Sequence, residues 1–89
     1  MGPVLEAGTL ASSVAGAIRA LDPRTRVIDR GSYLRVEAPD TCRLTRAALE
    51  KEHGPLAFPE EVEAILLSFA GKLSITSDEM VWTSARPRE

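Results

Sequence analysis

The chain of 89 residues suffices for one domain with a small core, and 44% apolar with 27% charged residues excludes a disordered polymer. Eleven basic residues against thirteen acidic ones give a net charge of −2, and no basic stripe stands out as a nucleic-acid footprint. The single cysteine, Cys42, excludes an internal disulfide; with no signal peptide and no long apolar run, the expected setting is a reducing cytoplasm away from any membrane.

Gly2–Ala7 reads as a short first strand. Pro3 has no amide hydrogen, so this strand is expected to lie at a sheet edge or to begin there. Gly8-Thr9 offers a turn with Thr9 as helix N-cap. Leu10, Val14, Ala17, Ile18 and Leu21 then make one apolar stripe at helical spacing, and Asp22-Pro23 ends it. Two strands follow, Arg26–Arg30 and Tyr33–Ala38, joined at Gly31-Ser32, where Gly31 can supply the positive φ of a hairpin turn. Ala38-Pro39-Asp40 is a further turn. Thr41–Leu44 reads as a third strand of the same meander, with Cys42 facing the core as a small hydrophobe.

Thr45 is expected to cap a second helix, Arg46–His53, with Leu44 and Leu49 as a hydrophobic staple. Gly54-Pro55 stops it. Pro59 opens a third helix, with Glu60 and Glu61 at the positive end of its dipole and Val62, Ile65 and Leu66 on its buried side. That helix is expected to run into Ser68 and pass straight into a strand, in which Phe69, Gly71, Leu73 and Ile75 alternate with polar or small residues. Gly71 inside this pattern marks either a bulge in a core strand or a place where another backbone, such as a partner's, comes close. Leu73 and Ile75 read as core. Thr76–Glu79 is a turn, Met80–Thr83 a last strand, and Ser84–Glu89 a polar tail expected to fray. The order is β-α-β-β-β-α-α-β-β, with three helices and antiparallel hairpins: an α+β domain spanning residues 1–89.

Catalytic groups are hard to find. The six glycines are isolated, so there is no phosphate loop. One His and one Cys do not make a zinc site. Glu60, Glu61 and Glu63 are better explained by the helix dipole than by carboxylate chemistry, and Ser12 and Ser13 have no partner histidine. Arg24, Arg26, Arg30 and Arg35 are the nearest thing to a cationic patch and read as a solvated face. Asp29 and Arg30 could meet a carboxylate or a partner, or could be a turn-stabilising acid and a surface arginine. These residues point to a non-catalytic binding domain.

Gly2-Pro3-Val4, Val27-Ile28-Asp29-Arg30, Tyr33-Leu34-Arg35-Val36, Leu44-Thr45-Arg46 and Leu67-Ser68-Phe69-Ala70-Gly71, in this order and spacing, resemble the small effector (coupling, or regulatory) proteins of bacterial multicomponent diiron monooxygenases. That family includes the methane monooxygenase regulatory protein, the phenol hydroxylase activator and the toluene 4-monooxygenase effector, and the toluene-type members are the ones this chain looks most like. The resemblance implies a protein without a cofactor or catalysis of its own. It implies docking on the hydroxylase component, over the helices that carry the partner's diiron centre, so that oxygen activation is faster and better coupled. It also implies that a reductase or Rieske ferredoxin can compete for the docking surface.

Carried over by position, the implied hydroxylase interface is Gly2, Pro3 and Val4, Asp29, Arg30 and Tyr33, and the junction Leu67, Ser68, Phe69, Ala70 and Gly71. The methane member has small polar residues where this chain has Leu67 and Phe69, so the toluene-type pattern fits better. Only Met1 precedes the Gly-Pro motif, so functions of the mobile N-terminal tail that relatives often carry are not expected here. Gly71→Arg and Ser68→Trp are expected to weaken docking and spare the fold. The competing reading is a free-standing α+β ligand-binding or interaction module, for which Asp29, Arg30, Tyr33 and Arg35 would have to converge on a pocket.

Overall fold

In the computed structural model, which describes residues 1–83, the apolar stripe forms helix α1 (Thr9–Leu21) and buries Ala11, Val14, Ala15, Ala17 and Ile18. Gly8, not Thr9, stands at the N-cap, and no side chain caps the helix. Leu21, at the last turn, is exposed. The polar tail expected at residues 84–89 lies outside the described residues.

The other elements are β1 (Gly2–Glu6), β2 (Arg26–Asp29), β3 (Tyr33–Glu37), β4 (Cys42–Thr45), α2 (Arg46–His53), α3 (Glu60–Ile65), β5 (Leu66–Ala70), β6 (Lys72–Ile75) and β7 (Glu79–Thr83). The strands form two antiparallel sheets, one ordered β2-β3-β1-β5 and one ordered β4-β7-β6. The α+β class and the three helices are as the sequence suggests. The β2–β3 hairpin turns at Gly31, φ +86°, as its position requires.

Three expectations are corrected. First, of the two places expected for Pro3, the sheet edge fails, since β1 is an inner strand between β3 and β5, and Pro3 stands near the strand's beginning, as its second residue. β1 tolerates Pro3 because Met1 and Ala38 exchange backbone hydrogen bonds of 2.9 and 2.8 Å and the Val4↔Arg35 pair resumes the register; Pro3 lies between them with no N–H to give. Second, β4 does not extend the β2–β3 meander. It crosses to the second sheet and pairs with β7, Cys42 opposite Trp82 and Leu44 opposite Met80, which seals all four side chains in the core. Burial of apolar side chains this complete contributes about 1.5–3 kcal/mol each.

Third, the single strand expected through Gly71 is two strands in two sheets. α3 ends at Ile65, β5 joins the first sheet, and β6 joins the second. Gly71, φ +99°, is the break between them, and a Cβ there would fall onto the carbonyl oxygen of Thr83 in β7. The close backbone that the glycine signals is the chain's own. The bulge sits elsewhere: β1 pairs Val4 with Ser68 but Leu5 with Leu66, leaving Leu67 as the extra residue. Leu73 packs against the core, whereas Ile75 is exposed and is not a core residue.

The core is one cluster that α1, α2, α3 and both sheets share. Thr45 caps α2 as expected, accepting from the Ala48 N–H at 3.1 Å. Leu44 and Leu49, the expected staple pair, are both fully buried. At α3 the Glu61 carboxylate accepts from the Ala57 N–H at 2.8 Å, which gives this acid a structural task at the helix start.

Candidate interaction face

Along an antiparallel sheet, residues in register share a face. Ser68, Val4, Arg35 and Ile28 therefore form one row across all four strands of the first sheet. Ala70 and Gly2 form part of the next row, and Glu6 and Tyr33 part of the row on the other side. The opposite face carries Leu5, Leu34 and Val36 into the core. The outer face thus alternates small residues (Gly2, Ser68, Ala70) with the taller Arg35 and Tyr33.

A shallow depression of about 120 Å³ opens on this face. Gly2, Val4, Ser68, Phe69 and Ala70 line it, together with Met1, Arg35 and Glu37. The Arg35 guanidinium pairs with Glu37 at 3.3 Å, with both side chains well exposed. Such a pair adds little stability. Its consequence here is positional: it keeps the arginine beside the depression.

Five of the eleven residues implied by the resemblance thus come together: Gly2, Val4, Ser68, Phe69 and Ala70. Tyr33 shares the face of Val4, Ser68 and Ala70 one row away, whereas Phe69, in register with Pro3, reaches the depression from the rim. Leu67 projects from the bulge and is exposed. Pro3 is buried, and a Cβ on Gly2 would meet the Val36 carbonyl, so these two hold β1 in place rather than offering contact. Gly71 is likewise closed against Thr83.

Asp29 and Arg30 stand apart at the hairpin tip. The Asp29 carboxylate accepts from the Gly31 N–H at 2.8 Å, and the Arg30 N–H donates to the Tyr33 carbonyl at 2.9 Å. This is the turn-stabilising role left open above. The four polar residues of the ligand-pocket reading do not converge, because Asp29 folds back on its own turn and Arg35 is tied to Glu37.

Sequence reading missed Arg35 and Glu37 as neighbours of the junction. The signal was the hydrophobic alternation of Tyr33–Glu37, which puts Arg35 outside, but it does not show that β1 brings Ser68 beside it. Arg24 is held between Asp22 (3.0 Å) and Asp40 (3.7 Å), in keeping with a solvated, paired arginine face. The hydrogen bonds from Arg24 hold the half-buried Asp22 carboxyl below its usual range.

Cys42 is fully buried, and burial pushes its thiol up to about 12, far from a thiolate nucleophile. No group of three or more His, Cys, Asp or Glu among the described residues is placed to hold a metal ion. No helix among them is long and apolar enough to cross a membrane.

Comparison with known proteins agrees with this architecture. The chain is 40% identical over 84 residues to the alkene monooxygenase system effector subunit of Xanthobacter autotrophicus (strain ATCC BAA-1158 / Py2), covering 92% of this chain and 83% of that protein. The fold superposes with a TM-score of 0.82 on a chain from the structure of the phenol hydroxylase–regulatory protein complex. That match has 17% identity and covers 92% of this chain and 94% of the other, so it speaks for the fold. The sequence profile of the MmoB/DmpM family matches residues 1–83, the whole described domain. The chain belongs to the MmoB/DmpM family.

Proposed function

We propose that this chain is the effector component of a multicomponent diiron monooxygenase. It binds the hydroxylase component and raises turnover without catalysing a reaction itself. The observation that carries this reading is the family match along all of residues 1–83. The effector binds one hydroxylase conformation better than another and shifts its population by that difference in affinity.

The outer face of the first sheet, from Tyr33 and Arg35 across Val4 to Ser68 and Ala70, with the exposed Phe69 at its rim, is the docking surface in this reading. It is the face that the core does not use, and it gathers most of the exposed residues that the family resemblance picks out. The chain carries no cofactor; the diiron centre is the hydroxylase's. A reductase or Rieske ferredoxin shares the surface in turn. The system acts in the cytoplasm, and its substrate is a hydrocarbon, aromatic if the toluene-type likeness extends to chemistry.

The test is addition of the chain to its cognate hydroxylase with electron donor. Turnover and the fraction of reductant used for hydroxylation rise to a plateau near one effector per hydroxylase active site. Unchanged turnover and unchanged iron spectroscopy at that ratio would reject the proposal.

A further inference from the structure

We infer that β2 is the electrostatic half of the docking surface, where two unpaired arginines, Arg26 and Arg30, meet carboxylates of the hydroxylase. The inference rests on the effector reading and adds the chemistry of the surface that the partner presents. β2 is terminal in the first sheet, at the end opposite β5. Val27 packs on the core from one face of the strand, so Arg26 and Ile28 lie on the other, in register with Glu37 and Arg35. Arg30 continues the alternation one residue past the strand. Its N–H donates to the Tyr33 carbonyl, which sets it in the row of Tyr33 and Glu6. Four residues of extended chain put the two arginines about 13 Å apart on the outer face.

Of the four arginines in residues 24–35, Arg24 and Arg35 have carboxylate partners. Arg26 and Arg30 are exposed and pair with no carboxylate among the described residues. Glu37 stands opposite Arg26 but is bound to Arg35. Asp29 turns to the other face of the strand and accepts from Gly31. Glu6, the remaining acid of the outer face, is separated from Arg30 by Tyr33.

The far end of the same face is uncharged: residues 64–71 carry no charge, and Leu67 and Phe69 are exposed there. A chain of net charge −2 thus has one face that is cationic at β2 and apolar at β5. Two cations are few for a nucleic-acid backbone and suit a protein surface with two acidic side chains at the same spacing. Charge acts across the gap before contact, so Arg26 and Arg30 set the rate of association. Apolar burial acts only on contact, so Leu67 and Phe69 set the rate of dissociation.

Surface plasmon resonance of the full chain over immobilised hydroxylase, from ~0.02 to ~0.3 M salt, separates the two rates. Association of the parent chain is expected to slow about tenfold or more across that range. Arg26→Gln with Arg30→Gln slows it about tenfold at the low-salt end and flattens the salt dependence, with dissociation and the urea midpoint unchanged. Phe69→Ala does the reverse, speeding dissociation about tenfold and leaving association as it was. Lys51→Gln, which removes an exposed cation on α2, changes neither rate. A salt-independent association rate, an equal effect from Lys51→Gln, or an arginine effect confined to dissociation would overturn the inference. So would retention of the chain on double-stranded DNA that the double substitution abolishes. A chain that neither binds nor activates the hydroxylase removes the effector reading as well. One that activates it, with association unchanged by the double substitution, removes this inference and leaves that reading standing.

Discussion

Gly71 lies against Thr83 so closely that the glycine's missing side chain is a condition of the two-sheet fold. Any Cβ at this φ of +99° is strained, and here it also meets a backbone oxygen that cannot swing away. Gly71→Ala is expected to cost about 2–4 kcal/mol in urea unfolding. Gly71→Arg should cost at least as much, contrary to the sequence expectation that it would spare the fold. Normal stability in either variant would show that the β5–β6 junction is not this tight.

The Thr45 hydroxyl accepts the Ala48 N–H at the start of α2. Thr45→Ala is expected to lose about 1 kcal/mol and Thr45→Ser only a few tenths. Thermal unfolding of the pair separates the cap from the methyl group, since serine keeps the oxygen alone.

Burial holds the Cys42 proton on to about pH 12, whereas an unfolded chain releases it near 8.5. Between those values the unfolded state binds fewer protons, so stability falls as pH rises. The slope from this one group approaches about 1.4 kcal/mol per pH unit and vanishes below pH ~8. Cys42→Ala lowers stability at neutral pH but flattens the loss between pH 9 and 11. Denaturant midpoints of the two proteins across that range decide it, with parallel curves as the contrary result.

On the outer sheet face, Ser68→Trp and Arg35→Ala alter exposed side chains. Each is expected to leave stability within about 0.5 kcal/mol. In the effector reading each weakens hydroxylase binding by about tenfold or more. Ser77→Trp, in the turn before β7, is the control. Calorimetric titration against the hydroxylase gives the affinities, and equal affinity in all three would move the docking surface elsewhere.

How much of this is legible in the sequence follows the range of the interactions. The Gly31 hairpin, the Thr45 cap and the α1 stripe depend on neighbours within a turn or two, and the residue pattern reveals them. Leu44 pairing with Met80, or Ser68 standing beside Arg35 across Val4, depends on strands far apart in sequence, about which local alternation is silent. Pro3 misleads because its missing donor falls at one rung near the start of an inner strand rather than along an edge. Gly71 reads correctly as a close approach, but the pattern cannot show whose backbone approaches. Phe69 and Ile75 alternate like core residues and are exposed because the strands that carry them are terminal in their sheets.

The central position of β7 has a consequence for biosynthesis. Among the described residues β4 and β6 have no sheet neighbour other than β7, so these two strands stay unpaired until residues 79–83 leave the ribosome. Leu44, Cys42 and the helices packed on them wait for Met80 and Trp82 to close over them. Stalled nascent chains ending before Glu79 should remain accessible to protease along most of their length, and protection should arrive in a single late step.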